Sequence, residues 1–481
     1  MKLTILKVLE IVLVIILLSI PVSLISLNSE LIVADEIWNF QNVAKLLNGG
    51  KMYVDCNIIV TPIFYLIGYC FVKLITSTIL GFRIYNIVIF VGLLLSIFVL
   101  FRTLKITKFK SFLYILLVIL FVMPYISTGA NYNVLAETIY ILGAVLFLNR
   151  DRIKLYNFYQ GLIIFLCIFT KQNIGLYYSI ALVVSEIVVL KKESVRCIIK
   201  ESIVAAICTF IAVFIMCVTG CFSGFLNYTV FGMGEFTTKN FSIQQTVEGV
   251  IVGYLTIAVC SYILGIIISK QDKDINYNIK VLSIFSIFLN FSLFPIANLY
   301  HTSLAILLNV IIFIYILEKL LFYKLENKVI LSFIIVFVYM VINSFGITCG
   351  YRVSKNVKIT DKENIYFSSN ISQDLNKKIE EVTKYIKEKE KEGIDVICIS
   401  SDGAIYMTYL HKNHGELDLC FRGNLGFNGA DNVIKKIDNL KNTEILVNQS
   451  SYWQEIEELR SYVLENCEYI GTIEDLEIYK K

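Results

Sequence analysis

Apolar runs of about 20 residues recur along this 481-residue chain, punctuated by short basic turns. A helix rising ~1.5 Å per residue needs about that length to cross a ~30 Å hydrocarbon layer. The runs lie near 8–28, 60–80, 84–101, 111–128, 134–149, 158–170, 174–190, 202–221, 248–268, 281–294, 302–317 and 329–348. With 57% of its residues hydrophobic, the chain carries more apolar surface than a water-soluble fold of this size can hide. The sequence therefore predicts a polytopic α-helical membrane protein. Lys2 and Lys7 precede the first run, but no small-residue cleavage pattern follows it, so it reads as an uncleaved span. The twelve cysteines form no CxxC pair and no metal-ligand spacing, and read as small apolar residues.

Charge fixes the expected sidedness. Cations cluster at Arg102–Lys110, Arg150–Lys154, Lys191–Lys200, Lys270–Lys280 and Lys319–Lys328, at every second turn. Cationic turns stay in the cytoplasm. All clusters share one side only if the run at 60–80 does not span. It begins with Thr61 and Pro62 and carries Lys73, so it is expected to lie at the outer face. About eleven spans remain, with the N-terminus inside. The predicted organisation is a transmembrane domain over 1–349, with a long outer loop at 29–83, and an extracytoplasmic domain over 350–481. The latter is a small α/β unit. "ISQDLNKKIEEVTKYIKEKEKEG" reads as an amphipathic helix stopped by Gly393. "IDVICIS" and "TEILVNQ" read as strands and "YIGTIEDLEIYK" as a terminal strand pair, and the unit is expected to fold on its own.

Two adjacent acids, Asp35 and Glu36, stand where the first span emerges on the outer side. Two readings of Asp35 are open. It can cap the helix "EIWNFQNVAKLLN", an interfacial amphipathic helix ending at Gly49 and Gly50. Alternatively, it faces a wet cavity and takes a proton from an acceptor hydroxyl. Other polar residues gather on the same face: Asn131, Asn133 and Glu137 at one turn, Lys171, Gln172 and Asn173 at a second, Tyr300 and His301 at a third. Singly, each is an ordinary turn residue. Together with Arg83, they outline an outward site whose cations, Lys171 and Arg83, suit a phosphate. No nucleotide-binding loop is present, so a lipid carrier within the membrane is the expected donor.

The succession "ADEIWNFQNVAKLLNGGKMYVD", "TPIFYLIGYCFVKLI" and "FRIYNIVIF", with "TKQNIGLY" and "FPIANLYHTSLA" further on, resembles the GT-C glycosyltransferases that use polyprenyl-phosphate sugars, among them protein O-mannosyltransferases and the aminoarabinose transferase of lipid A. The resemblance spans most of residues 1–350. It implies that Asp35 activates or orients the acceptor and that Glu36 is its partner. Asp55 would line the same loop, Lys171 and Arg83 would meet the lipid phosphate, and His301 would contact donor or acceptor. No second acid motif follows in the next outer loop, where Glu137 is the nearest carboxylate. "LCFRGNLGFNG" looks like a loop of bacterial relatives and implies no chemistry.

The expected activity is transfer of a sugar, with inversion, from a polyprenyl phosphate to an envelope glycan, lipid or protein. The bilayer is the other partner and nucleic acid is not one. No cofactor is required, while a divalent metal is compatible with the acids present. The rival readings are a transporter or flippase of a lipid-linked sugar, which should show broken or polar helices at mid-membrane, and a regulator that binds through the C-terminal domain.

Overall fold

A computed structural model describes residues 2–242, 261–263, 266, 273–297, 299–322, 356–449 and 455–481. The expected spans at 248–268 and 329–348 fall largely or wholly outside these residues. Elsewhere, long helices stand where apolar runs were found. They are α1 (Lys2–Asn28), α4 (Ile79–Thr103), α5 (Lys108–Ser127), α6 (Tyr132–Leu148), α7 (Tyr156–Thr170), α8 (Gln172–Leu190) and α9 (Ser194–Thr219). Beyond the short α10 (Phe222–Phe225) and α11 (Met233–Asn240) come α12 (Lys273–Asn290), α13 (Leu299–Ala305) and α14 (Leu307–Phe322). The chain is a multi-pass membrane protein.

The run at 60–80 becomes α3 (Ile63–Ile75), of 13 residues. At ~1.5 Å per residue it is about 20 Å long, short of the ~30 Å of a bilayer core. Phe64, Gly68 and Val72 form a buried stripe along it, and Thr61 anchors its start by donating to the Ile168 carbonyl at 2.7 Å.

The basic turns meet at one end of the bundle. Lys105 pairs with Asp274 at 2.7 Å, Lys110 pairs with Glu318 at 2.6 Å, and Arg150 sits 5.8 Å from the Tyr277 ring centroid. The polar outer turns meet at the other end, around the cavity described below. Single cysteines at the exposed lysines 108 and 192 should therefore react with an impermeant thiol reagent from the cytoplasmic face. Those at the exposed lysines 51 and 441 should react from the opposite face. Labelling of positions 108 and 51 from the same face would overturn this sidedness.

The C-terminal unit begins with a short antiparallel pair, β1 (Asn356–Lys358) and β2 (Asn370–Ser372), followed by α15 (Gln373–Lys391). Ser372 caps α15 by accepting the Leu375 N–H at 3.2 Å. Strands β3 (Asp395–Cys398), β4 (Thr443–Asn448), β5 (Glu468–Ile473) and β6 (Leu476–Lys480) form one sheet in the order β3–β4–β6–β5. The β3–β4 pair is parallel and the others antiparallel. Val433, Ile437, Ile445, Val447 and Val463 make a core of its own on one side of this sheet. On the other side Cys398, Tyr406, Met407 and Leu446 are continuous with the core of the helical part.

The expected interfacial helix over 36–48 is α2 (Trp38–Leu47), and it is buried rather than laid on a bilayer. Phe40 packs against Phe82, ring centroids 5.7 Å apart. Its polar side is buried too, because it meets the C-terminal unit. Trp38 donates to the Ser401 carbonyl at 2.9 Å and stacks on Phe421 at 4.4 Å, Gln41 donates to the Asp418 carbonyl at 3.1 Å, and Lys45 pairs with the Asp418 carboxylate at 2.8 Å. An apolar stripe cannot reveal which surface it faces, and here the opposite flank found protein.

Candidate active site

Asp35 lies in a tight turn between α1 and α2. Its backbone is at φ 62°, ψ −62°. That is close to the geometry of the strained three-residue γ-turn, which non-glycine residues seldom adopt. Its side chain caps nothing: α2 starts after Ile37, with no side-chain cap bond. The cap reading of Asp35 therefore fails, and the carboxylate points into a cavity.

The turn is held from behind by Glu36. Arg83, on α4, grips it with two parallel bonds, Nε to Oε1 at 2.8 Å and Nη2 to Oε2 at 3.0 Å. Arg83 also donates to the Ser29 carbonyl at 3.1 Å, and the Ile32 N–H donates to Glu36 at 3.3 Å. Both side chains are 1% exposed, and neither lines the cavity. Gly129, at φ +84°, closes over Glu36, and a Cβ there would stand 2.7 Å from Glu36 Cγ. The structure thus places Glu36 and Arg83 in the scaffold behind Asp35. Arg83 is not where a phosphate at the cavity would meet it, because its donors are already engaged.

The cavity in front of Asp35 has a volume of about 450 Å³. Asn39, Asn42 and Tyr65 form one wall, tied together by the Tyr65 hydroxyl donating to Asn39 at 2.7 Å. Tyr132 and His301 also line it, and Arg422 enters from the C-terminal unit. A narrower cleft of about 50 Å³ adjoins it, sharing Tyr132, His301, Phe236 and Ile296 and adding Lys171, Gln172 and Asn173. Asp35 and Lys171 therefore open onto neighbouring compartments with Tyr132 and His301 between them. The Asp35 carboxylate is accessible from the cavity yet ringed by protein at depth, and this loss of bulk hydration raises its pKa to about 6.

Lys171 sits in the turn between α7 and α8. It donates to Asn133, lies 5.6 Å from the Tyr132 ring centroid, and is within electrostatic reach of Glu137. Burial pushes its ammonium down to about 8, opposed by the Glu137 charge. Glu137 is 1% exposed, and its Oε2 has no hydrogen-bond partner among the described residues.

The remaining expected residues separate. Gln172 donates to the Ile59 carbonyl at 2.9 Å, and Asn173 accepts the Ile174 N–H at 2.8 Å, so both shape the cleft. Asn131 caps α6 by accepting the Asn133 N–H at 2.8 Å. Asp55 accepts the Lys51 N–H at 2.6 Å, closing a surface turn away from the cavity. The side chain of Tyr300 lies outside the described residues. Among the described residues no group of three or more His, Cys, Asp or Glu side chains converges as metal ligands. Tyr132 and Arg422 were missed by sequence reasoning. Tyr132 stands beside the polar turn at Asn131 and Asn133 but is apolar by composition, and Arg422 lies in the glycine-rich loop "CFRGNLGFNG", to which no chemistry was attached.

No protein-family model matches the sequence, and neither does any curated protein. The fold is nevertheless similar to that of solved structures, among them ArnT and an oligosaccharyltransferase, both GT-C glycosyltransferases. ArnT from Cupriavidus metallidurans in the apo state is similar over 98% of both chains, with a TM-score of 0.60 and 10% identity. The same enzyme bound to undecaprenyl phosphate matches at a TM-score of 0.58 and 11% identity, again over 98% of each chain. The oligosaccharyltransferase of Archaeoglobus fulgidus, in complex with zinc and sulfate, matches at 0.55 and 10% identity, over 90% of this chain and 68% of that one. At these identities the likeness is one of fold.

Proposed function

We propose that the protein is a membrane glycosyltransferase that moves a sugar from a polyprenyl phosphate to an extracytoplasmic acceptor, with inversion. The observation that carries this reading is Asp35, presented on a strained turn to a cavity whose adjoining cleft holds Lys171. The undecaprenyl phosphate bound to ArnT supports the donor class. The Asp35 carboxylate takes the acceptor's hydroxyl proton as that oxygen bonds to the anomeric carbon. The bond from the anomeric carbon to the phosphate oxygen breaks with its electrons going to the phosphate. Polyprenyl phosphate leaves as an anion, and Lys171 stabilises the developing charge without protonating it. Asp35 later releases the proton to solvent. Tyr132 and His301, between the two compartments, flank the transferred sugar.

The test of the function is a purified-protein assay. The protein in detergent, given a polyprenyl-phosphate sugar and extracts of envelope acceptors, should release polyprenyl phosphate and glycosylate the acceptor. Movement of the intact lipid-linked sugar across vesicles, with no release, would identify a transporter instead.

Lys171 has its own expected result. A hydrogen bond to a charged group contributes ~1.5–3 kcal/mol, about 10- to 150-fold in affinity. Lys171→Ala should weaken donor binding by that factor and leave acceptor binding unchanged. Donor affinity equal to the parent's would reduce Lys171 to a partner of Asn133 and Glu137.

A further inference from the structure

A second space is larger than the one that holds Asp35. It is an open groove of about 700 Å³ on the C-terminal unit, within the range of about 300–1,000 Å³ typical of ligand sites. One wall is the loop from Arg422 to Asn428 with the start of α16 (Gly429–Asp438), and another is Glu455–Glu458. The third comes from α11 of the helical part, through Glu235 and Lys239. Arg422 and Lys239 line this groove and the Asp35 cavity alike. The two spaces are therefore adjoining, with the groove outermost.

The groove is built rather than incidental. The Phe427 N–H donates to Asn227 at 3.0 Å, and Asn240 donates to the Arg422 carbonyl at 3.1 Å, which clamps the loop to the helical part. At Gly426, φ +75°, a Cβ would stand 2.4 Å from Asn227 Nδ2, so only glycine lets the loop approach this closely. The clamp leaves Phe427 at the rim, 62% exposed and edge-on to Phe231 at 6.0 Å.

The chemistry of the walls selects the occupant. Carboxylates and amides offer planar acceptors and donors that match vicinal hydroxyls, and an exposed aromatic face takes the C–H side of a pyranose. Five carboxylates (Glu235, Asp431, Glu455, Glu457 and Glu458) stand against three cations (Lys239, Arg422 and Lys435), and one of those cations, Lys239, is paired with Glu458 at 2.5 Å. The excess negative charge disfavours a polyanion. We infer that this groove binds the acceptor and that its occupant is a neutral or amino-sugar oligosaccharide, an inference that rests on the glycosyltransferase reading above.

The experiment uses the full-length protein in detergent and three tetrasaccharides differing in charge: N-acetylated chitotetraose, its de-N-acetylated form and tetragalacturonate. Binding is read by titration calorimetry. The neutral and cationic probes should bind, and the anionic one at least 10-fold more weakly. Phe427→Ala should weaken the neutral probe about 10-fold, and Glu457→Lys, which leaves as many cations as carboxylates in the lining, should erase the charge preference. Asp35→Asn should leave all three affinities unchanged, which separates this site from the catalytic reading. Preferred binding of tetragalacturonate, no binding by any probe, or neutral binding indifferent to Phe427→Ala would overturn the inference while leaving sugar transfer to be judged by its own assay.

Discussion

Asp35→Asn should lower sugar transfer ~100- to 10,000-fold, the usual contribution of a general acid–base group, with expression, fold and donor binding retained. The amide keeps the shape of the side chain, and the bonds that hold the turn are made by Glu36 and Arg83, so the backbone at φ 62° survives. What is lost is the proton acceptor. The same substitution would be nearly silent at a helix cap, where Asn serves about as well as Asp. A pH profile adds an independent check. A base works when ionised, and burial raises the Asp35 pKa to about 6. In the parent, kcat/KM should rise with pH through about 6 and level off above it, and in the variant this limb should disappear. Near-parental transfer by Asp35→Asn, or an unaltered acid limb, would sink the catalytic assignment.

Much of this architecture was legible because it is written in local pattern. The period of α15, its stop at Gly393 and the three β-rich runs that follow, the last a strand pair, are properties of short windows, and each appears in the structure. The expectation that the run at 60–80 does not span came from charge parity, and in the structure that run is a helix of 13 residues. What was not legible depends on contacts between distant segments. Nothing near Glu36 announces that Arg83 will seize it, and nothing near Lys45 points to Asp418. Both pairs look in sequence like exposed charges available to a ligand. Burial of α2 was hidden for the same reason: its amphipathic stripe fits a bilayer surface or a protein interface equally well. The positive φ of Asp35 was hidden too, since Asp is common in turns of many kinds. In sequence Asp35 and Glu36 read as one catalytic pair, whereas in the structure only Asp35 lines the cavity and the Glu36 side chain is held by Arg83.

That division predicts the behaviour of Arg83. If Arg83 met the lipid phosphate, Arg83→Met would weaken donor binding in a protein of parental stability. In the structure Arg83 instead neutralises Glu36 where both are 1% exposed. Removing one partner of a buried ion pair leaves an uncompensated charge and typically costs ~3–5 kcal/mol. Arg83→Met should therefore lower thermal stability sharply in detergent. Replacing both partners by apolar side chains of similar volume is often neutral, so the double variant Glu36→Met with Arg83→Met should recover most of that stability. Transfer should not recover with it. The bidentate grip, with its bond to the Ile32 N–H, holds the turn that presents Asp35 in an unfavourable conformation, and apolar packing supplies no such direction. A stable double variant with depressed kcat and ordinary donor affinity is the expected signature of a positioning pair. A stable single variant that fails only to bind the donor would return Arg83 to the phosphate.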